Sequence, residues 1–237
     1  MKKAVAALAL VATLLPALAA AQSSLVSQIV GDQAATEKLY FSLKAGIGCT
    51  RLTGVDEERE RLGGPNLGLF ANIRIAGRLW LVPEVDPVSR RGLTNIPFRP
   101  TGDPALDPYF DPPDKSALVL NYVDVPLLVR YGLSGRIHVA AGPFVGFLLS
   151  ASERFRSETE TGEAVSYKTE VTEAYRPKDF GFVVEASVVV TKPHRGTGLV
   201  FHVRYQGGLT DIVKDPGASG AVRTSVLQIF VSFPFIH

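Results

Sequence analysis

The stretch RTSVLQIFVSFPF, residues 223–235, decides the fold. Leu227, Ile229, Val231, Phe233 and Phe235 fall on one parity, and Gln228, Phe230, Ser232 and Pro234 on the other. Successive side chains of an extended chain point to opposite faces, so a strict period of two reads as a strand. One face of this strand is wholly apolar and ends in aromatics. In a secreted chain, such a strand points to a barrel built for an outer membrane. There an apolar band with aromatic girdles faces lipid, and the last strand closes the sheet so that no edge is left unpaired.

Seven earlier segments alternate in the same way. Leu39, Phe41, Leu43, Ala45 and Ile47 oppose Tyr40, Ser42, Lys44, Gly46 and Gly48, and Leu67, Leu69, Ala71, Ile73 and Ile75 oppose Gly68, Phe70, Asn72 and Arg74. The third segment runs from Leu79 to about Val88, with Leu81, Pro83 and Val85 opposite Val82, Glu84 and Asp86. The next two set Val123 to Tyr131 against Asp124 to Arg130, and Ile137 to Leu149 against Arg136 to Gly146. The last two set Phe180 to Val190 against Gly181 to Ser187, and Leu199 to Leu209 against His202 to Gly208. Short links at 76–78, 133–135 and 192–197 alternate with long polar stretches at 50–65, 89–117, 152–178 and 211–222. Short turns on one rim and long loops on the other predict an all-β, eight-stranded antiparallel up-and-down transmembrane barrel, with both termini on the periplasmic, short-turn side. The prolines crowded into 89–117 predict no regular structure there, whereas 152–178 extends its flanking strands above the membrane.

The N-terminus has the form of a secretory signal. Lys2 and Lys3 precede an apolar run from Val5 to Leu15, Pro16 breaks it, and small residues 17–21 offer a cleavage site before Gln22. The domain reading is a signal peptide over 1–21, a short periplasmic segment over 22–37 and the barrel over 38–237. No later stretch is apolar for long enough to form a transmembrane helix. A mean hydropathy of +0.16 suits a barrel, because half of each strand faces inward. The net charge of +2 is too balanced to favour nucleic acid as a partner. The lone Cys49 has no internal disulfide partner, and Gln22 at the expected mature N-terminus excludes lipidation there. No Cys/His cluster suggests a structural metal, and no cofactor is expected.

Six blocks in order carry a family resemblance: KLYFSLKAGIG (38–48), NLGLFANIRIAGRLWLVPEV (66–85), LNYVDVPLLVRYGL (120–133), VAAGPFVGFLLSA (139–151), DFGFVVEASV (179–188) and GLVFHVRYQGGLTDI (198–212). The chain resembles the PorT-type outer-membrane β-barrel domain, most specifically over Asn121-Tyr122 with Pro126-Leu127-Leu128 and over Ala141-Gly142-Pro143 with Gly146. The resemblance implies an eight-stranded barrel in a Bacteroidetes-type outer membrane. The namesake is involved in protein secretion across that membrane, but a shared barrel does not carry that role with it. The partners expected on this reading are outer-membrane lipid, the barrel-assembly machinery during insertion, and a protein of an envelope or secretion complex.

The inward parity carries Lys44, Arg74, Arg130 and Arg204 together with Glu84, Asp86, Asp124 and Glu185. Eight strands enclose a space just wide enough for side chains to fill. Buried charge is costly without a partner, so these eight residues are expected to interleave as a lumenal network that plugs the barrel. If its partner stays buried, Arg130→Ala is expected to destabilise by about 3–5 kcal/mol. None of the histidines (His138, His194, His202, His237) accompanies a Ser/Asp pair in an outer loop, so no catalytic constellation is legible. The competing reading is a soluble, secreted, lipocalin-like ligand carrier with the same strands turned inside out. Aromatics at strand ends, the asymmetry of the rims and the charge-balanced, glycine-rich opposite parity all favour lipid on the outside.

Overall fold

The computed structural model describes residues 38–55, 60–98, 100, 107–110, 113–158, 162–194, 197–215 and 220–235. The expected signal peptide (1–21) and the segment 22–37 lie outside the described residues. Among the described residues, nine strands follow in chain order: β1 (Leu39–Thr53), β2 (Glu60–Ala76), β3 (Leu79–Thr94), β4 (Lys115–Gly132), β5 (Ile137–Glu158), β6 (Ala164–Glu170), β7 (Lys178–His194), β8 (Thr197–Gly208) and β9 (Arg223–Phe235). Eight of them form the wall, each antiparallel to its neighbours, with the β1–β9 and β4–β5 pairings completing the circuit. β6 is not a wall strand; it pairs only with the outer end of β5, from Ser152 to Glu158. Closure leaves no wall edge for another chain to extend. Gly77, at φ +48°, makes the tight β2–β3 turn, where a side chain would be strained.

The two faces of the wall are opposite in character. Val125, Leu127, Val129, Phe182, Val184, Val203 and Ile229 point outward and are exposed, while Ser42, Lys44, Glu84, Asp124, Arg204 and Gln228 point inward and are buried. So broad an apolar surface is incompatible with water but matches a lipid-facing band. The soluble lipocalin-like alternative, which needs the reverse orientation, is not favoured.

Beyond the band, on the long-loop side, the polarity inverts. The interior becomes apolar around Leu52, Leu93, Ile96, Phe110, Leu118, Leu120, Phe155, Ile212 and Val222. The exterior becomes polar, with Lys115, Arg154 and Arg156 exposed. Two bulges accompany the change. An extra β3 residue around Pro87 and Val88 shifts the register between Asp86↔Asp124 and Ser89↔Tyr122. An extra β5 residue at Leu149 does the same between Leu148 and Ser150. A bulge suits proline, which has no N–H for the ladder.

The strands therefore run further than their alternation indicates. β3 continues to Thr94 and β4 begins at Lys115, so both ends of the stretch 89–117 are regular, contrary to the expectation from its prolines. The apolar interior beyond the band gives these extensions something to pack on, and ladder pairing continues as far as that packing does.

Candidate functional site: a charged lumen

β1, β3, β4, β7 and β8 project charged side chains into the space where a pore would run. The centre of this array is Arg204, with its side chain 1% exposed. Its Nη1 and Nη2 donate to Glu84 Oε1 and Oε2 at 2.9 and 2.8 Å, and its Nε and Nη2 donate to Glu185 Oε2 at 2.8 and 2.5 Å. This forked geometry gives guanidinium–carboxylate pairs both strength and direction. Lys44 ion-pairs with Glu84 and donates to Asp86 Oδ2 at 2.6 Å. Phe230 fills the space beside them, with the Lys44 ammonium 4.7 Å and the Arg204 guanidinium 4.9 Å from its ring centroid. Charges this deep are tolerated only where partners and hydrogen bonds replace water.

A second cluster lies toward the long-loop rim and is centred on Arg91. It reaches Asp124 at 2.5 Å and Asp179 at 2.6 Å, with the rings of Tyr122 and Phe144 at 4.3 and 5.4 Å. Ser89 and Gln206 donate to Asp124 at 2.6 and 3.0 Å, and Thr224 and Thr210 donate to Asp179 at 2.6 and 2.9 Å. Inward glycines make room for these carboxylates. At Gly146 an added Cβ would lie 2.6 Å from Asp124 Oδ1 and 3.3 Å from an Arg91 nitrogen. Gly146→Leu should therefore displace this pair and destabilise by about 1–3 kcal/mol, as overpacking does. Urea unfolding in detergent micelles reads the loss. Gly135→Ala, with nothing within 4 Å of the new Cβ, should leave the midpoint in place.

Of the charged residues expected in the lumen, Lys44, Glu84, Asp86, Asp124, Arg130, Glu185 and Arg204 are buried there. Arg74 is not among them. It has the inward parity, but it lies at the short-turn rim, exposed, donating to the Gly77 carbonyl at 2.8 Å and resting 5.4 Å from the Trp80 ring centroid. Arg130 is peripheral. It donates to Asn72 Oδ1 at 2.6 Å and approaches Glu185 only to 3.7 Å. Because Glu185 keeps Arg204 and His202, Arg130→Ala should destabilise by about 1–3 kcal/mol, less than the loss of a buried ion's only partner. The same micellar unfolding measures it.

Three members, Arg91, Asp179 and His202, were absent from the expected set. The bulge at Pro87–Val88 reverses the parity that would have pointed Arg91 outward, and Asp179 lies where a loop was expected to end. His202 already had the inward parity; its partners are what periodicity cannot show.

His202 links Glu185 and Ser232. Its Nδ1 lies 2.9 Å from Glu185 Oε1, and its Nε2 lies 2.8 Å from Ser232 Oγ. Hydroxyl, imidazole and carboxylate in this order resemble a nucleophile, its base and an orienting acid. Here Ser232 and His202 are each 1% exposed, and Phe230 stacks on the imidazole at 4.4 Å. Glu185 is also engaged by Arg204, so the array is a buried strut with no room for a substrate at Ser232 Oγ. Among the described residues, no group of three or more His, Cys, Asp or Glu side chains could hold a metal ion.

A family model for the outer membrane protein beta-barrel domain matches residues 21–214. The chain belongs to that family. The matched span ends before β9, the strand that closes this outer-membrane barrel against β1. No curated protein matches the chain. Among solved structures it is similar to Ail, the attachment invasion locus protein of Yersinia pestis, in complex with the heparin analogue sucrose octasulfate, at 11% identity and a TM-score of 0.42 over 84% of this chain and 99% of that one. It is also similar to Neisserial surface protein A, at 12% identity and 0.41 over 84% and 98%. A third is OprG from Pseudomonas aeruginosa, at 12% identity and 0.38 over 87% and 100%.

Proposed function

We propose that this outer-membrane barrel is a non-enzymatic, plugged scaffold whose long-loop end and rims carry its role, as an anchoring element or as an accessory component of an envelope or protein-secretion complex. The observation that carries this reading is the lumen. Five buried carboxylates and four buried cations hold one another across its width, and an apolar core caps the long-loop end. A conducting path would have to break several of these pairs at once. With the interior committed to holding the wall together, function falls to the loops that a rigid scaffold presents. The start of β1 at Leu39 and the end of β9 at Phe235 lie at the short-turn rim, which in this reading faces the periplasm together with the termini, and the long loops face outward. Insertion relies on the barrel-assembly machinery, and the shared barrel does not decide between the secretion-complex role and simple anchoring.

Two measurements test this. In planar bilayers the purified protein should show no stepwise conductance, whereas regular open-channel steps would refute the plug. Crosslinking in intact membranes followed by affinity capture should recover one partner in stoichiometric amount. Recovery of the barrel alone would leave anchoring as its role.

A further inference from the structure

The outward face of β4, β5 and β6 beyond the lipid-facing band concentrates positive charge. Register pairing sets Lys115 opposite Arg156, and Arg154 opposite Lys168. All four side chains are exposed, and they line one groove of about 830 Å³. Like charges directly opposite each other on neighbouring strands are destabilising, and here two such pairs adjoin. The carboxylates nearby are Glu170, Asp114 and Glu158. Glu170 accepts from Lys168 at 2.9 Å, and that hydrogen bond and charge hold its carboxyl below its ordinary range. Asp114 Oδ2 accepts the Glu158 N–H at 2.7 Å, and Glu158 closes the far end of β5. Among the described residues, none of these carboxylates forms an ion pair with Lys115, Arg154 or Arg156.

Height above the membrane narrows the choice of ligand. Leu149, 62% exposed, is the last outward apolar residue of β5, and Arg154 follows five residues later. At ~3.4 Å per residue and a tilt of ~40°, Arg154 stands about 13 Å beyond Leu149, and the headgroup layer of one leaflet is only about 5–8 Å thick. The groove therefore lies beyond the layer of phospholipid headgroups.

We propose that this groove binds an anionic polysaccharide, a sugar chain bearing sulfate, phosphate or carboxylate groups, through Lys115, Arg154, Arg156 and Lys168. Arg154 and Arg156 supply the forked donors suited to such groups, and the two lysines widen the field around them. The proposal gives a ligand class to the long-loop end of the scaffold proposed above, and rests on that reading only for which rim faces outward.

The test uses the full chain refolded in zwitterionic nanodiscs, with dextran sulfate as the probe and neutral dextran as its control. The wild type should bind dextran sulfate and not dextran, with an affinity that falls steeply as salt rises. Arg154→Gln/Arg156→Gln should lose at least about tenfold in affinity, and Arg136→Gln, an exposed cation at the opposite rim, should lose none. Equal binding by the Arg154→Gln/Arg156→Gln variant and the wild type overturns the proposal. So does binding that appears only when phosphatidylglycerol is added to the disc, since that marks a headgroup site. The gel mobility of each variant with and without boiling confirms that it is folded. Protease accessibility of this rim on whole cells tests the outward orientation separately, so failure of that reading is distinguishable from failure of the site.

Discussion

Arg204→Ala should destabilise the barrel by about 3–5 kcal/mol, because it strips a hydrogen-bonded partner from two buried carboxylates at once and a more distant cation, 3.9 Å away, from Asp86. Glu84 would keep only Lys44, and Glu185 only His202 and the distant Arg130. Neither carboxylate is open to bulk solvent, since both side chains are fully buried. Urea unfolding in micelles, followed through the fluorescence of the single Trp80, measures the loss. The triple variant Arg204→Met/Glu84→Gln/Glu185→Gln should recover most of it, because no bare carboxylate remains. A single variant that unfolds at the wild-type midpoint would show that the network does not hold the wall together.

Val184→Arg should have the next largest effect. Val184 lies in the middle of the outward apolar row of β7, flanked by Phe182 and Ala186, and is 45% exposed. If that exposure is to lipid, an arginine there should destabilise by about 2–4 kcal/mol in bilayers, as at the membrane midplane of other barrels. Ala164→Arg on β6, also exposed but beyond the band, should change stability by no more than about 0.5 kcal/mol. Equal, small effects at the two sites would mean that Val184 faces water and that the band has been misassigned.

The eight wall strands were legible because lipid outside and packed polar groups inside force an unbroken period of two, as from Val123 to Tyr131. What parity cannot convey is depth. Arg74 on β2 and Arg130 on β4, the two strands that flank β3, both have the inward parity, yet one lies at an open rim and the other is buried. Parity also fails across a bulge. The single extra residue near Pro87 turns Arg91 inward, out of step with Glu84 and Asp86, so the centre of the second cluster was hidden in an apparent loop. The strand extensions were obscured for another reason. Ala117-Leu118-Val119-Leu120 is a continuous apolar run, and nothing in it distinguishes a strand beyond the membrane from a loop. β6 does alternate, with Val165 and Tyr167 half-buried against exposed Ser166 and Lys168, but a seven-residue strand pairing only with the outer end of β5 mimics an extension of the wall.

This chain is a closed barrel in the outer membrane, with its charges inside and its apolar face in lipid. The most direct test is to run the outer-membrane fraction on an SDS gel with and without boiling. The protein should be found in that fraction, and unboiled protein should migrate differently from boiled protein, because a closed barrel held by buried ion pairs resists SDS until heated. Recovery in the soluble periplasmic fraction, with the same mobility before and after boiling, would contradict it.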